Sequence, residues 1–134
     1  MQSQPSFSKQ ACRLLRVVIV DDMPQVRQDL RLLLELSGVI EVVGEASNGL
    51  EAISQTESLR PDVVLLDLEM PVMDGFEAAK QIKARMPACR LVAFSIHSYP
   101  QARQKAVQAG MDGFLEKGAP LDSILQALLS AHVL

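Results

Sequence analysis

Apolar residues along this chain fall into two alternating kinds of pattern. LLRVVIV (14–20), VVLLD (63–67) and RLVAFS (90–95) are continuous runs of branched side chains, while IEVVGEA (40–46) and GFLEK (113–117) are shorter and more mixed. Continuous runs of this length predict strands buried on both faces, as in a parallel sheet. Between them the spacing becomes helical. Val26, Leu30, Leu33 and Leu34 form one predicted stripe over residues 24–37, and Gly38 stands where a helix would end. Asn48 with Glu51, and Asp74 with Glu77, have the spacing of capping boxes and open the next two helices. Phe76, Ala79, Ile82 and Met86 mark the buried side of the third helix; Leu121, Ile124, Leu125, Leu128 and Leu129 mark that of the last. The stretch 99–109 offers mostly alanine and one valine to a core, so its helix should be the most weakly held and the most mobile.

The order is five βα units, which predicts an α/β doubly wound sandwich with right-handed crossovers. For five strands the expected sheet is flavodoxin-like, (βα)5, in order 2-1-3-4-5. Residues 1–12 read as a loose tail and 13–134 as one domain. A chain of 134 residues can bury a sizeable core without disulfides or metals to staple it.

Composition narrows the function. A net charge of −3 and the absence of tryptophan argue against direct nucleic-acid binding by this domain. No apolar run is long enough to span a bilayer, and the N-terminus lacks the apolar core of a signal peptide. Cys12 and Cys89 lie far apart with no metal-ligand spacing and read as small hydrophobes. The expectation is a soluble, cytoplasmic protein without membrane contact.

Ligands of open α/β sheets bind outside the carboxyl ends of the strands. Here the first strand ends in Asp21-Asp22, the third in Asp67, the fourth in Ser95 and the fifth in Lys117. Converging carboxylates raise one another's pKa unless a cation joins them, and ligation by oxygen alone suits Mg²⁺. A hydroxyl and an ammonium opposite suit an anion. Together they describe a site for phosphoryl transfer.

These residues, with the segment VVLLDLEMPVMDG and the sequence FLEK, resemble the receiver domain of two-component response regulators over residues 14 to about 132. The GEASNG and KGAP segments look most like receivers of the NarL/LuxR type, which precede a helix-turn-helix DNA-binding module; that output module is not in this chain. The resemblance implies that Asp67 is the phosphorylation site, receiving a phosphoryl group from a sensor histidine kinase or phosphotransfer protein. It implies Mg²⁺ held by Asp22, Asp67 and the backbone carbonyl of Glu69, with Asp21 acting through a water. It also implies Lys117 as the partner of the acyl phosphate, and Ser95 and Phe114 as the switch pair. Ser95 replaces the commoner threonine, and Phe114 lacks the hydroxyl of a tyrosine. Gly118 follows the lysine where many receivers have a proline, which puts a cis bond there in doubt. Glu69 and His97 stand where such domains tune the lifetime of the phosphorylated form, and homodimerisation is a further expectation. The domain would then be no enzyme beyond its own phosphotransfer and dephosphorylation, and its output would be transcriptional regulation.

Other classes stay open at this point. A phosphohydrolase with an aspartyl-phosphate intermediate would share Asp67, Ser95 and Lys117, but would place a second aspartate where Glu69 stands. A flavin-binding module would need a Gly/Ser/Thr-rich loop in place of Asp21-Asp22. A receiver-like module that works without phosphorylation would have lost an acid or the lysine.

Overall fold

A computed structural model describes residues 13–96 and 99–133, with the side chains of 131–133 excepted. The expected tail 1–12, with Cys12, and the position of His97 lie outside the described residues, as does the side chain of His132.

The strands are β1 (Leu15–Val20), β2 (Ile40–Ala46), β3 (Val63–Asp67), β4 (Arg90–Ser95) and β5 (Gly113–Glu116). They alternate with α1 (Pro24–Leu36), α2 (Gly49–Leu59), α3 (Gly75–Arg85), α4 (Pro100–Gln108) and α5 (Leu121–Val133). All pairings are parallel and the order is β2-β1-β3-β4-β5, as the alternation predicted. Every residue of β3 is buried, which explains why its sequence shows no polar alternation.

The two faces carry separate cores. Val18, Val20, Val64, Leu66, Leu91 and Ala93 pack with Ala52, Ile53, Ala79 and Ile82 from the helices on one face. Val17, Ile19, Leu65, Val92 and Phe94 pack with Leu30, Leu34, Ile124 and Leu128 on the other. Burial pushes the Cys89 thiol up to about 11, in keeping with an inert core residue.

Both N-caps form as read, Asn48 Oδ1 accepting from the Glu51 N–H and Asp74 Oδ1 from the Glu77 N–H, each at 2.9 Å, while the Glu51 carboxylate accepts from Ser47 rather than closing a full box. Three side-chain expectations need correction. Leu33 is exposed, because Arg27 and Arg31 on α1 both reach Glu45 of β2 and turn Leu30 and Leu34 towards the sheet. Leu129 is also exposed, since α5 docks chiefly through Ile124 and Leu128. Val107 faces solvent, leaving Ala106 as the buried residue of α4. Phe76, partly buried, packs against its core as expected.

Candidate functional site

The carboxyl ends of β1, β3, β4 and β5 bring the predicted residues into one crevice. Asp21, Asp67 and Ser95 are buried there, while Asp22 is exposed at the rim. Carboxylate oxygens of Asp21, Asp22 and Asp67 all lie within 4.8 Å of one another.

Local backbone bonds fix each group. Asp21 donates its N–H to Ala46 O at 3.0 Å, and Arg27 Nη1 donates to Asp21 O at 2.7 Å. Asp21 Oδ1 accepts from the Met23 N–H at 2.9 Å, closing a short turn. Neither aspartate caps α1; Met23 holds that position and Pro24 starts the helix. Asp67 Oδ1 accepts from the Glu69 N–H at 3.3 Å. Lys117 directly follows the last residue of β5, and its N–H donates to Ser95 O at 2.8 Å.

The Lys117 ammonium bridges the two buried acids, 2.7 Å from Asp21 Oδ2 and 3.3 Å from Asp67 Oδ2. The shorter contact is off the line of a hydrogen bond, so Asp21 Oδ2 is buried without a well-aligned donor. Burial, then the charge of Asp21, push the Asp67 carboxyl up from 3.8 to about 6, with Lys117 and the Glu69 N–H pulling the other way. Burial would lower the Lys117 pKa, but the close carboxylates of Asp21 and Asp67 reverse this and hold it above the ordinary value.

The donor set fits a hard divalent cation. Three carboxylates, one with an undersatisfied buried oxygen, face a single point, and one ammonium does not balance them. Phe114 lies on the same sheet face as Ser95: it pairs with Ala93, two residues earlier on β4. The Lys117–Gly118 bond is trans, like every described peptide bond.

A family model, the response regulator receiver domain, matches residues 17–129. The chain belongs to this family. The nitrate/nitrite response regulator NarL of Escherichia coli strain K12 is 37% identical over 115 residues, which are 86% of this chain and 53% of that protein. This receiver chain thus spans about half the length of the curated relatives it matches. The signal receiver domain of a Mycobacterium tuberculosis NarL response regulator superposes with a TM-score of 0.86 at 36% identity, covering 90% of this chain and 98% of that one. A CheX–CheY complex from Borrelia burgdorferi, solved with BeF₃ and Mg²⁺, matches with a TM-score of 0.81 at 25% identity, covering 87% of each chain. The receiver is therefore of the NarL/LuxR type, a signalling domain of two-component systems. Among its described residues no helix is long and apolar enough to cross a membrane.

Three features of the site have no signature in the sequence. Gly75, read as a simple helix start, lies against the backbone of Asp67 and Leu68. Arg103 covers the Phe114 ring from α4. Val72 has φ +72 and sits at the centre of a three-residue turn closed by the Met73 N–H on Pro71 O at 2.8 Å. A branched side chain is strained there, and three-residue turns of this hand are rare. Because Val72 is exposed, little burial would be lost on removing it. Val72→Gly is expected to raise stability by about 1 kcal/mol, strain relief outweighing the added freedom of the unfolded chain. Urea unfolding checks this; an unchanged or lower midpoint would count against the strain.

Proposed function

We propose that the domain is a phosphorylation switch in which Asp67 accepts a phosphoryl group from a histidine kinase or phosphotransfer protein. What carries the reading is one arrangement: a buried carboxylate at the end of the central strand, 3.3 Å from an ammonium and beside two further acids. A carboxyl of pKa about 6 is largely ionised at neutral pH yet more basic than an ordinary aspartate, which suits a nucleophile. An Asp67 oxygen attacks phosphorus as the donor's N–P bond breaks, leaving an acyl phosphate on the carboxyl and returning the imidazole to the donor.

Asp22, Asp67 and the Glu69 carbonyl would hold Mg²⁺, with Asp21 behind them. When bound, the cation neutralises charge on the transferred group. Lys117 then stays beside Asp67 to pair with a phosphoryl oxygen, and Ser95 donates its hydroxyl to another. The new group brings about −1.5 to −2 charges into a crevice built around one fixed cation. Ser95 moves towards it and Phe114 turns into the space released, repacking the face from α4 to α5. Taking such a switch from 1:99 to 99:1 requires about 5.5 kcal/mol of differential stabilisation. Joined to a DNA-binding output, the repacked face would control it, and a homodimer is one form that control can take.

Incubation with Mg²⁺ and acetyl phosphate, followed by intact mass measurement, tests the reading. The wild type is expected to gain one phosphoryl group, and Asp67→Asn or excess EDTA to abolish the adduct. No adduct on the wild type, or an undiminished one on Asp67→Asn, would overturn it.

A further inference from the structure

Helix α4 is fastened in an unusual way. Its only buried residue is Ala106, with Ala102 partly buried one turn earlier, so apolar burial holds it weakly. Two cation–π contacts supplement that. Arg103 Cζ stands 4.6 Å from the centroid of the Phe114 ring on β5, and Lys105 Nζ stands 4.4 Å from that of Phe76 on α3. At about 100° per residue, positions 103 and 105 fall on opposite flanks of the Ala102–Ala106 stripe. The helix sits astride the sheet with a cation on a ring at each side. Neither cation has a carboxylate in ion-pair range among the described residues.

The two flanks differ in what their rings can do. Phe76 belongs to a helix, but Phe114 is the aromatic member of the switch pair. Phe114 is partly buried on the same sheet face as Ser95, beside Ala93. Phe114 and Arg103 line one open groove together with Ile96 and Lys117, while an apolar cavity of about 190 Å³ beside Ser95 is lined by Leu68, Phe76, Ala102 and Lys105 on the other flank of α4. On the outer side the ring meets the Arg103 guanidinium. A tyrosine at this position could use its hydroxyl to favour one rotamer, and Phe114 has none.

We propose that Arg103 is a positioning residue that holds the Phe114 ring in the groove the two share and so sets the resting balance of the switch. The contact with Arg103 exists only while the ring faces outward, so it stabilises the unphosphorylated arrangement selectively. A ligand or modification shifts a two-state element only by what it stabilises differentially, and here the differential contact opposes the shift. Inward rotation gives up the cation. Arg103 is exposed, so its replacement leaves the core intact.

The role in switching rests on the phosphorylation reading, and the test separates the two. Fluorophenylalanine labels the chain at its four phenylalanines, and the Phe114 resonance is the one missing from Phe114→Leu. In Arg103→Gln, without any phosphoryl group, that resonance is expected to move towards its position in wild type saturated with Mg²⁺ and beryllofluoride. Its H₂O/D₂O isotope shift should shrink as the ring leaves solvent. Affinity for beryllofluoride should rise roughly two- to fivefold, the size of a surface cation–π contact. Arg103→Lys, which keeps a cation, should fall between. An unmoved resonance with unchanged beryllofluoride affinity in Arg103→Gln overturns the proposal. If the wild type binds no beryllofluoride, the phosphorylation reading fails by itself. The hold on Phe114 is then judged by the isotope shift alone, and a value unchanged from wild type overturns that too.

Discussion

Without metal, Asp67→Asn is expected to be more stable than the wild type at pH 7.5, by roughly 1–3 kcal/mol. The reason is that the native fold holds the Asp67 carboxyl at about 6, while the unfolded chain ionises it near 3.8. Between those values the folded protein keeps a proton that the unfolded chain has lost. Stability therefore falls as pH rises through this window, and the full cost is present above it. At about 1.4 kcal/mol per pH unit, a gap from 3.8 to about 6 corresponds to about 3 kcal/mol, taken as a ceiling. Asparagine avoids the cost. It also keeps an acceptor for the Glu69 N–H, and Lys117 retains Asp21 at 2.7 Å. Urea unfolding in EDTA at pH 5 and pH 7.5 checks the sign. The advantage of Asp67→Asn should be largest at pH 7.5 and about half as large at pH 5, where the folded carboxyl is mostly protonated but the unfolded chain is still ionised. An equal advantage at both values would place its origin elsewhere. Added Mg²⁺ should narrow the gap, since a cation relieves the wild type of the same repulsion.

That a site residue destabilises the fold carrying it also bears on what could be read from the chain. Asp67, Asp21, Ser95 and Lys117 were legible because each ends an apolar run, and parallel topology carries all such ends to one edge. The order of the strands followed from the same alternation. What escaped reading depends on contacts between elements. Leu33 fits the apolar spacing of α1 as well as Leu34 does, and only the pull of Arg27 and Arg31 towards Glu45 decides which of them is buried. Val107 looked like the anchor of α4, yet the helix is fastened by Arg103 and Lys105, residues a hydropathy pattern assigns to solvent. Val72 occupies a backbone conformation that its residue type disfavours, so propensity points away from the structure found. Periodicity reports burial of side chains against a sheet; it is silent on cations over rings and on backbones that touch.

Gly75→Ala brings that last kind of contact to a measurable end. In the middle of an exposed helix, alanine for glycine would add about 1 kcal/mol through helix propensity. Here it is expected to cost about 2–4 kcal/mol and to slow phosphorylation by acetyl phosphate at least tenfold. The first residue of α3 donates its N–H to Leu68 O at 2.9 Å, which draws the helix start onto the end of β3. A Cβ at Gly75 would collide with the carbonyl oxygen of Asp67 and stand 2.8 Å from Leu68 Cα. Both are backbone atoms, so no side chain can swing aside; either α3 retreats or the Asp67 peptide tilts. Each movement shifts the carboxylate relative to Lys117 and the two other acids, and an error of about 1 Å at a reacting group is enough to cost orders of magnitude in rate. Gly113→Ala is the matched control. Its Cβ would meet Val92 at 3.5 Å, an ordinary contact on β5, so its effect should stay within about 0.5 kcal/mol. If Gly75→Ala proves as mild as Gly113→Ala in both melting and phosphorylation rate, the close approach of α3 is not what holds Asp67 in place.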